Sequence, residues 1–250
     1  MLLQDKNAVI YGAGGSIGGA VATAFAREGA RVHLVGRTQA KLDAVADRIR
    51  SAGGSAETAR VDALAKAEVD AHADAVVAQS GGIDISFNLI SHPYTHGIPM
   101  VEMTPEDYLA PVQVAVRTTF LTAAAAARHM VNQGSGVILA FGGSGDPMDD
   151  YHIGGTQVAF EAIESMRRQL SCELGPYGVR VLTLRTGGIP DSLGSFEGSE
   201  EIADAIARNT MLKRAATLED VGNVAAFAAS DHARSMTATA LNITCGTFAD

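Results

Sequence analysis

The fold is decided by one stretch near the N-terminus, Val9-Ile10-Tyr11-Gly12-Ala13-Gly14-Gly15-Ser16-Ile17-Gly18. Its apolar start predicts a short strand, and the small, helix-forming residues that follow it predict a helix. Glycines between a strand and a helix permit a tight turn and let a pyrophosphate approach the backbone at the helix N-terminus. This order of elements predicts a dinucleotide-binding turn. The predicted contacts are Gly12, Gly15, Ser16, Ile17 and Gly18.

Beyond this turn, short apolar runs alternate with segments of helical spacing, which is typical of parallel strands joined by crossover helices. The predicted strands are Ala8–Tyr11, Arg31–Val35, Ala56–Val61, Ile83–Asn88, Val137–Phe141, Val179–Leu184 and Ala238–Thr244. The predicted helices are Ile17–Glu28, Gln39–Ala52, Lys66–Gln79, Val112–Val131, Gln157–Leu174, Glu200–Asn209 and Leu218–Ala229. We therefore expect one α/β domain over residues 1–250, a Rossmann-type doubly wound parallel sheet of about seven strands in a three-layer α/β/α arrangement.

The composition limits the classes of partner. A formal charge of −9 without any basic run disfavours a nucleic-acid surface. Two cysteines and no secretory signal disfavour a disulfide framework and favour a cytoplasmic location. The small apolar stretch Leu121–Ala127 is too short to cross a bilayer, so we expect no membrane partner.

The residue after the second strand indicates which dinucleotide is bound. Enzymes that use NAD carry an Asp or Glu there to bind the ribose 2′-hydroxyl, whereas this chain has Arg37. A guanidinium pairs bidentately with a 2′-phosphate and stacks on adenine. Arg37 therefore predicts NADP(H) as the cofactor; an Arg that is merely solvated at a strand end is the alternative.

Together these motifs resemble the short-chain dehydrogenase/reductase superfamily over nearly the whole chain. The family's T-G-x-x-x-G-x-G motif is similar to residues 11–18, with Tyr11 and Ser16 at two motif positions. The resemblance implies that Asp62 contacts adenine, and it aligns residues 88–91 with N-N-A-G and residues 186–189 with P-G-x-I. It thus adds Asp62, Asn88 and Ile189 to the cofactor contacts, and it implies a homo-oligomer, with a tetramer favoured.

The same resemblance implies an altered catalytic centre. The family's Tyr-x-x-x-Lys pair aligns with Thr156 and Phe160, and its Ser aligns with Gly143. Thr is a poor acid near neutral pH, and Phe supplies no positive charge to lower a neighbour's pKa. Enoyl reductases of this superfamily shift their Tyr upstream, but that position falls on Ile153 and the Lys position again on Phe160.

Other polar groups close by offer substitutes. We predict Tyr151, Ser144 and Thr156 as candidate catalytic residues, with Tyr151 as the acid and Ser144 lining the substrate site; packing of the loop is the alternative role for Tyr151. The histidines of the neighbouring loops, His92, His96 and His152, either contribute an acid or make local hydrogen bonds. Their spacing does not indicate a metal site.

These residues favour an NADP(H)-dependent oxidoreductase with an unusual proton donor, acting on a small to medium, partly apolar carbonyl, enone or imine. Two alternatives stay open. The absence of the Lys is compatible with a protein that binds NADP(H) without turnover and acts as a sensor or partner, and the fold is compatible with a lyase or isomerase that reuses the pocket.

Overall fold

The computed structural model describes residues 1–93, 96–143, 152–194 and 198–249. Its strands are β1 (Asn7–Tyr11), β2 (Arg31–Gly36), β3 (Ser55–Arg60), β4 (Ile85–Asn88), β5 (Gly136–Gly142), β6 (Val179–Thr186) and β7 (Thr239–Ile243). Its helices are α1 (Ser16–Arg27), α2 (Gln39–Ser51), α3 (Lys66–Ser80), α4 (Pro105–Gln133), α5 (Thr156–Leu174), α6 (Ser199–Arg208) and α7 (Leu218–Ala229).

All seven strands lie parallel in one sheet of order β3-β2-β1-β4-β5-β6-β7. The chain first builds outward from β1 to β3 and then returns to add β4 on the other side of β1. A crevice at the carboxyl end of such a sheet opens where the order reverses, here between β1 and β4. The predicted doubly wound α/β fold is therefore confirmed.

Helices cover both faces of the sheet. One apolar core joins β1, β2 and β4 to α1, α2 and α7, with Val21, Leu42 and Val221 fully buried or nearly so. A second core joins the opposite face to α3 and α4, where Val69 and Met130 have no exposed side-chain surface. Burial on both faces explains why the central strands read as continuous apolar runs rather than alternating ones.

The largest difference from the sequence prediction is the start of α4, which begins at Pro105 rather than at Val112. The hydroxyl of Thr104 accepts a hydrogen bond from the amide of Asp107 at 3.1 Å and so caps the helix. Pro105 stands at the first helical position, where its missing N–H costs nothing. These two residues stabilise the early turns despite Pro111 inside the helix.

Among the described helices, α4 is the one with the length and composition to cross a membrane. Half of its most apolar window is buried inside the protein. The helix packs against α3, α5, β4 and β5, which is the environment of a core helix.

The turn between β1 and α1 contains close backbone contacts at the crevice. Gly12 has a φ of +80°, which favours glycine, and its amide donates to the Val35 carbonyl at 2.8 Å. A Cβ on Gly12 would lie 2.4 Å from the Leu89 carbonyl oxygen after β4. A Cβ on Gly18 would lie 2.3 Å from the Gly12 carbonyl oxygen. Side chains are therefore excluded at both positions by the backbone itself.

We predict that Gly18→Ala lowers the free energy of unfolding by about 1–3 kcal/mol, because the added methyl group overpacks against a backbone atom that cannot rotate away. Urea unfolding followed by circular dichroism measures this change. Gly175→Ala is the matched control, since a Cβ there meets nothing within 4 Å among the described residues and φ is −53°. Equal stability of the two variants would contradict the prediction.

Candidate active site

The first turn of α1 presents backbone donors at the crevice. The helix begins after Gly15, which provides no side-chain cap, and its first turn contains no acidic residue. The first amide groups of a helix have no intrahelical acceptor and carry its positive dipole end. The amides of Ser16, Ile17 and Gly18 are thus available to an anion, and the bare backbone of Gly12 and Gly18 lets it come close. This donor set fits a pyrophosphate.

The adenosine side of the predicted site lies beyond β1, at the carboxyl ends of β2 and β3. Arg37 directly follows β2 and is exposed. Asp62 follows β3, and one of its carboxylate oxygens accepts from the amide of Leu64 at 3.0 Å. Its amide donates to Glu68 at 2.8 Å. The turn is therefore ordered, and it holds Asp62 at the edge of the sheet where an adenine would lie.

A groove of about 650 Å³ extends from the phosphate turn along the outer side of α1. Gly14 and Gly15 line its near end, and Lys41, Arg48 and Arg27 contribute cationic side chains along it. The groove lies between α1, α2 and α7, away from β5. The substrate site is therefore not assigned to this groove.

Two further predicted contacts lie on the other side of the reversal point. Asn88, at the end of β4, is 8% exposed, and its amide nitrogen donates to Thr118 and Thr119 of α4 at 3.2 and 3.3 Å. Its side chain joins β4 to α4, and its Oδ1 accepts from the amide of Ile90 at 2.9 Å. Ile189 is buried at the start of the turn after β6, and its carbonyl accepts from the Ser192 hydroxyl at 2.7 Å.

Gly143 stands at the position of the family's Ser, and Phe160 stands at the position of its Lys. The Phe160 ring occupies the space that a side chain at position 143 would need. Gly143 directly follows β5, and a Cβ there would lie 2.6 Å from Cε2 of Phe160. The two departures from the family pattern are thus sterically coupled, because the Phe160 ring occupies the space that a side chain at 143 would need. The fit between Gly143 and the Phe160 ring is visible only in the folded structure.

Thr156, the third predicted catalytic residue, begins α5 and is 3% exposed. Its hydroxyl oxygen has no hydrogen-bond partner in the described part of the chain. The preceding residue, Gly155, packs so closely on α4 that a Cβ would overlap the Tyr108 carbonyl. The N-terminus of α5 is therefore held tightly against α4. Tyr151 and Ser144 lie outside the described residues.

Beneath this centre, three charged side chains form a cluster between α5 and β6. Glu164 is 2% exposed, and its carboxylate accepts from Arg167 at 2.8 Å and from Arg185 at 3.0 Å. Burial alone would raise the pKa of Glu164, but the hydrogen bonds from Arg167 and the charge of Arg185 hold it below its usual value. The cluster ties α5 to the strand beside β5, and sequence spacing gave no sign of it.

Tyr11, which stands at the family's Thr position, is 2% exposed. Burial and then the negative charge of Asp70 raise the pKa of its phenol far above the usual value. Tyr11 is therefore a core residue and not an acid for the site. In the described ranges, no three His, Cys, Asp or Glu side chains are grouped as metal ligands.

A parallel sheet with a glycine turn at its reversal point defines a nucleotide-binding protein of the doubly wound class. A family model described as enoyl-(acyl carrier protein) reductase matches residues 12–247. An uncharacterized oxidoreductase of Methylorubrum extorquens is 30% identical over 250 residues, covering 98% of both chains. A probable galactose dehydrogenase of Rhizobium meliloti is 29% identical over 248 residues, covering 98% of this chain and 96% of that one.

Solved structures agree. A short-chain type dehydrogenase/reductase from Mycobacterium marinum superposes with a TM-score of 0.90 at 27% identity, covering 99% of this chain and 97% of the other. The chain belongs to the short-chain dehydrogenase/reductase superfamily, an oxidoreductase family. The family resemblance read from the sequence is thereby confirmed.

We predict that Gly143→Ala destabilises the protein by about 1–3 kcal/mol, because the new methyl group meets the Phe160 ring. Combining it with Phe160→Ala is expected to recover roughly 0.5–3 kcal/mol relative to the sum of the single changes. Chemical unfolding of the four proteins measures this coupling.

Gly142→Ala is the control for this cycle. A Cβ at 142 would lie 3.4 Å from Thr183 and 3.9 Å from Phe160, which are ordinary or nearly ordinary contacts. Strict additivity of Gly143→Ala and Phe160→Ala would show that the ring does not fill the site at 143.

Proposed function

We propose that this chain is an NADP(H)-dependent oxidoreductase whose proton donor differs from the Tyr of its family. The observation that carries the proposal is the glycine turn, with its free amides on α1 and Arg37 at the neighbouring strand end. When bound, the nicotinamide dinucleotide supplies or accepts hydride. The protein's own residues bind the pyrophosphate, orient the dinucleotide and handle the proton.

The proposal of NADP(H) rather than NAD(H) is based on the charge of the residues at the end of β2, where the ribose 2′ group would lie. No acidic residue stands at position 36, 37 or 38, where NAD enzymes bind the ribose 2′-hydroxyl. Arg37 offers a planar pair of donors that matches a 2′-phosphate. Arg60 lies beside it on β3, in register with Gly36, and adds positive charge to the same edge.

For the substrate we propose a small to medium, partly apolar carbonyl, enone or imine. Apolar side chains are exposed beyond β4 and beyond β6, where Ile98, Met100 and Leu193 are between 36% and 58% exposed. Reduction of a polarised C=C or C=N bond demands less of a Tyr-Lys pair than ketone reduction, which suits a chain with Thr156 and Phe160. Tyr151, Ser144 and Thr156 stay candidates for the catalytic group.

We also propose that the chain assembles as a homo-oligomer, with a tetramer favoured. Leu109 and Phe120 of α4 and Val158 of α5 are 44%, 54% and 44% exposed. The two helices pack side by side, so a second copy would cover these side chains.

A second candidate function is NADP(H) binding without turnover. It is favoured by one observation, the replacement of the Lys by Phe160, whose ring rests on Gly143. Tight NADPH binding without any hydride exchange on carbonyl, enone and imine substrates would favour this function over the first. Failure to bind any dinucleotide would instead favour a lyase or isomerase on the same fold.

We predict that Arg37→Ala weakens NADP⁺ binding by about 10- to 100-fold, the loss expected for a charge-assisted hydrogen bond to the 2′-phosphate. NAD⁺ binding is expected to stay unchanged, because NAD⁺ lacks that group. Isothermal titration calorimetry with both dinucleotides measures the difference.

Arg31→Ala is the matched control, since Arg31 is exposed at the opposite end of the same strand. A loss of affinity that is equal for NADP⁺ and NAD⁺, or equal in the two variants, would argue against a 2′-phosphate contact.

A further inference from the structure

The imidazole of His92 lies where the carboxyl ends of β4 and β5 adjoin. It follows β4 by four residues, and its ring meets the Phe160 ring edge-on, with centroids 5.9 Å apart and planes at 69°. Phe160 in turn rests on Gly143. A single ring therefore separates His92 from the positions at which the family carries its Ser and its Lys.

A hydrogen bond indicates which nitrogen of the His92 ring carries the proton when the ring is neutral. Nδ1 of His92 lies 3.2 Å from the carbonyl oxygen of Pro93. A carbonyl only accepts, so Nδ1 must carry the proton when this bond forms. In this tautomer the lone pair is on Nε2, which can accept a proton from a substrate.

The direction of the bound dinucleotide follows from the sheet order. Its adenosine end is expected at Arg37 and Asp62, beyond β2 and β3, and its pyrophosphate at the turn after β1. Because β4 and β5 follow β1 on the other side of the reversal point, the nicotinamide half would lie toward them. His92 half-buries its ring at that end of the crevice.

We propose that His92 is the acid–base group of this site, a role that rests on the proposed NADP(H)-dependent function. In alcohol oxidation the O–H bond breaks, its proton passes to Nε2, and its electron pair forms the carbonyl bond. The carbinol C–H bond breaks and its electron pair leaves as hydride to the oxidised nicotinamide. In reduction the imidazolium returns the proton to the oxygen that hydride addition leaves negative.

The surroundings of His92 suit this role. Phe160 shields one side of the ring from water and supplies no charge. Charged groups on the elements packed here include Glu161 and Glu164 of α5 and Arg185, in register with Gly142 on β6. Arg185 donates a hydrogen bond to the Glu164 carboxylate at 3.0 Å.

A spectroscopic experiment tests the placement without relying on turnover. The full-length protein, labelled with ¹⁵N in its seven histidines, is observed by imidazole NMR, and the His92 signals are assigned with His92→Asn. We expect the Nδ1-protonated tautomer and a shift of these signals on addition of NADP⁺. Signals of His232, which is exposed in the short turn Asp231–Ala233 after α7, are expected to stay in place.

A kinetic experiment tests the chemistry on a small to medium, partly apolar secondary alcohol that the wild type oxidises, the reduced form of the proposed carbonyl substrate. His92→Asn keeps a side-chain donor for the Pro93 carbonyl but has no proton acceptor in place of Nε2. We expect kcat/KM to fall by about 10²- to 10⁴-fold, with loss of the acidic limb of its pH profile. NADP⁺ affinity by calorimetry and the activity of His232→Asn are expected to be unchanged.

The outcomes separate this proposal from the proposed function. If calorimetry shows NADP⁺ binding but the His92 signals do not move, His92 is not at the nicotinamide end and the proposal is overturned alone. If NADP⁺ does not bind, the proposed function fails with it. If Tyr151→Phe, and not His92→Asn, removes the pH limb, the acid is Tyr151 and His92 has no catalytic role.

Discussion

The structure depends on how closely the backbone approaches itself in the turn after β1. Gly12 lies against the chain that leaves β4, and Gly18 lies against Gly12, at separations that leave no room for a Cβ. These contacts seat α1 with its N-terminus facing the reversal point of the sheet. Since the donors at that N-terminus are backbone groups, the proposed anion site is built from backbone geometry rather than from side-chain chemistry.

The two halves of the crevice differ in how many residues of the family pattern they keep. On the adenosine side, the turn keeps Gly12 and Gly18, and the predicted contacts Arg37 and Asp62 follow the neighbouring strands β2 and β3. On the side of β5, the Phe160 ring lies on Gly143, and a Thr that is 3% exposed begins α5. The residues proposed to bind the dinucleotide and the residues proposed to act on the substrate therefore lie in different halves of the crevice. With His92 as the proposed acid–base group, the β5 side of the crevice would transfer the proton without the family's Tyr and Lys.

Sequence reasoning predicted the parts of the protein that repeat a pattern. The seven strands, the helices between them and the glycine turn follow from apolar periodicity and from a turn that only glycine permits. The start of α4 was wrong by seven residues, because the capping of Thr104 and Pro105 outweighs Pro111. The contact between Gly143 and Phe160, and the packing of His92 on that ring, could not be predicted, since residues from three separate parts of the chain meet there.

The most direct test of the central claim is a crystal structure of the protein with NADP⁺ bound. The pyrophosphate is expected on the amides of residues 16–18, the 2′-phosphate at Arg37, and the nicotinamide ring beside His92 and Phe160. A dinucleotide whose nicotinamide lies away from β4 and β5, or whose phosphates do not contact the glycine turn, would contradict this account.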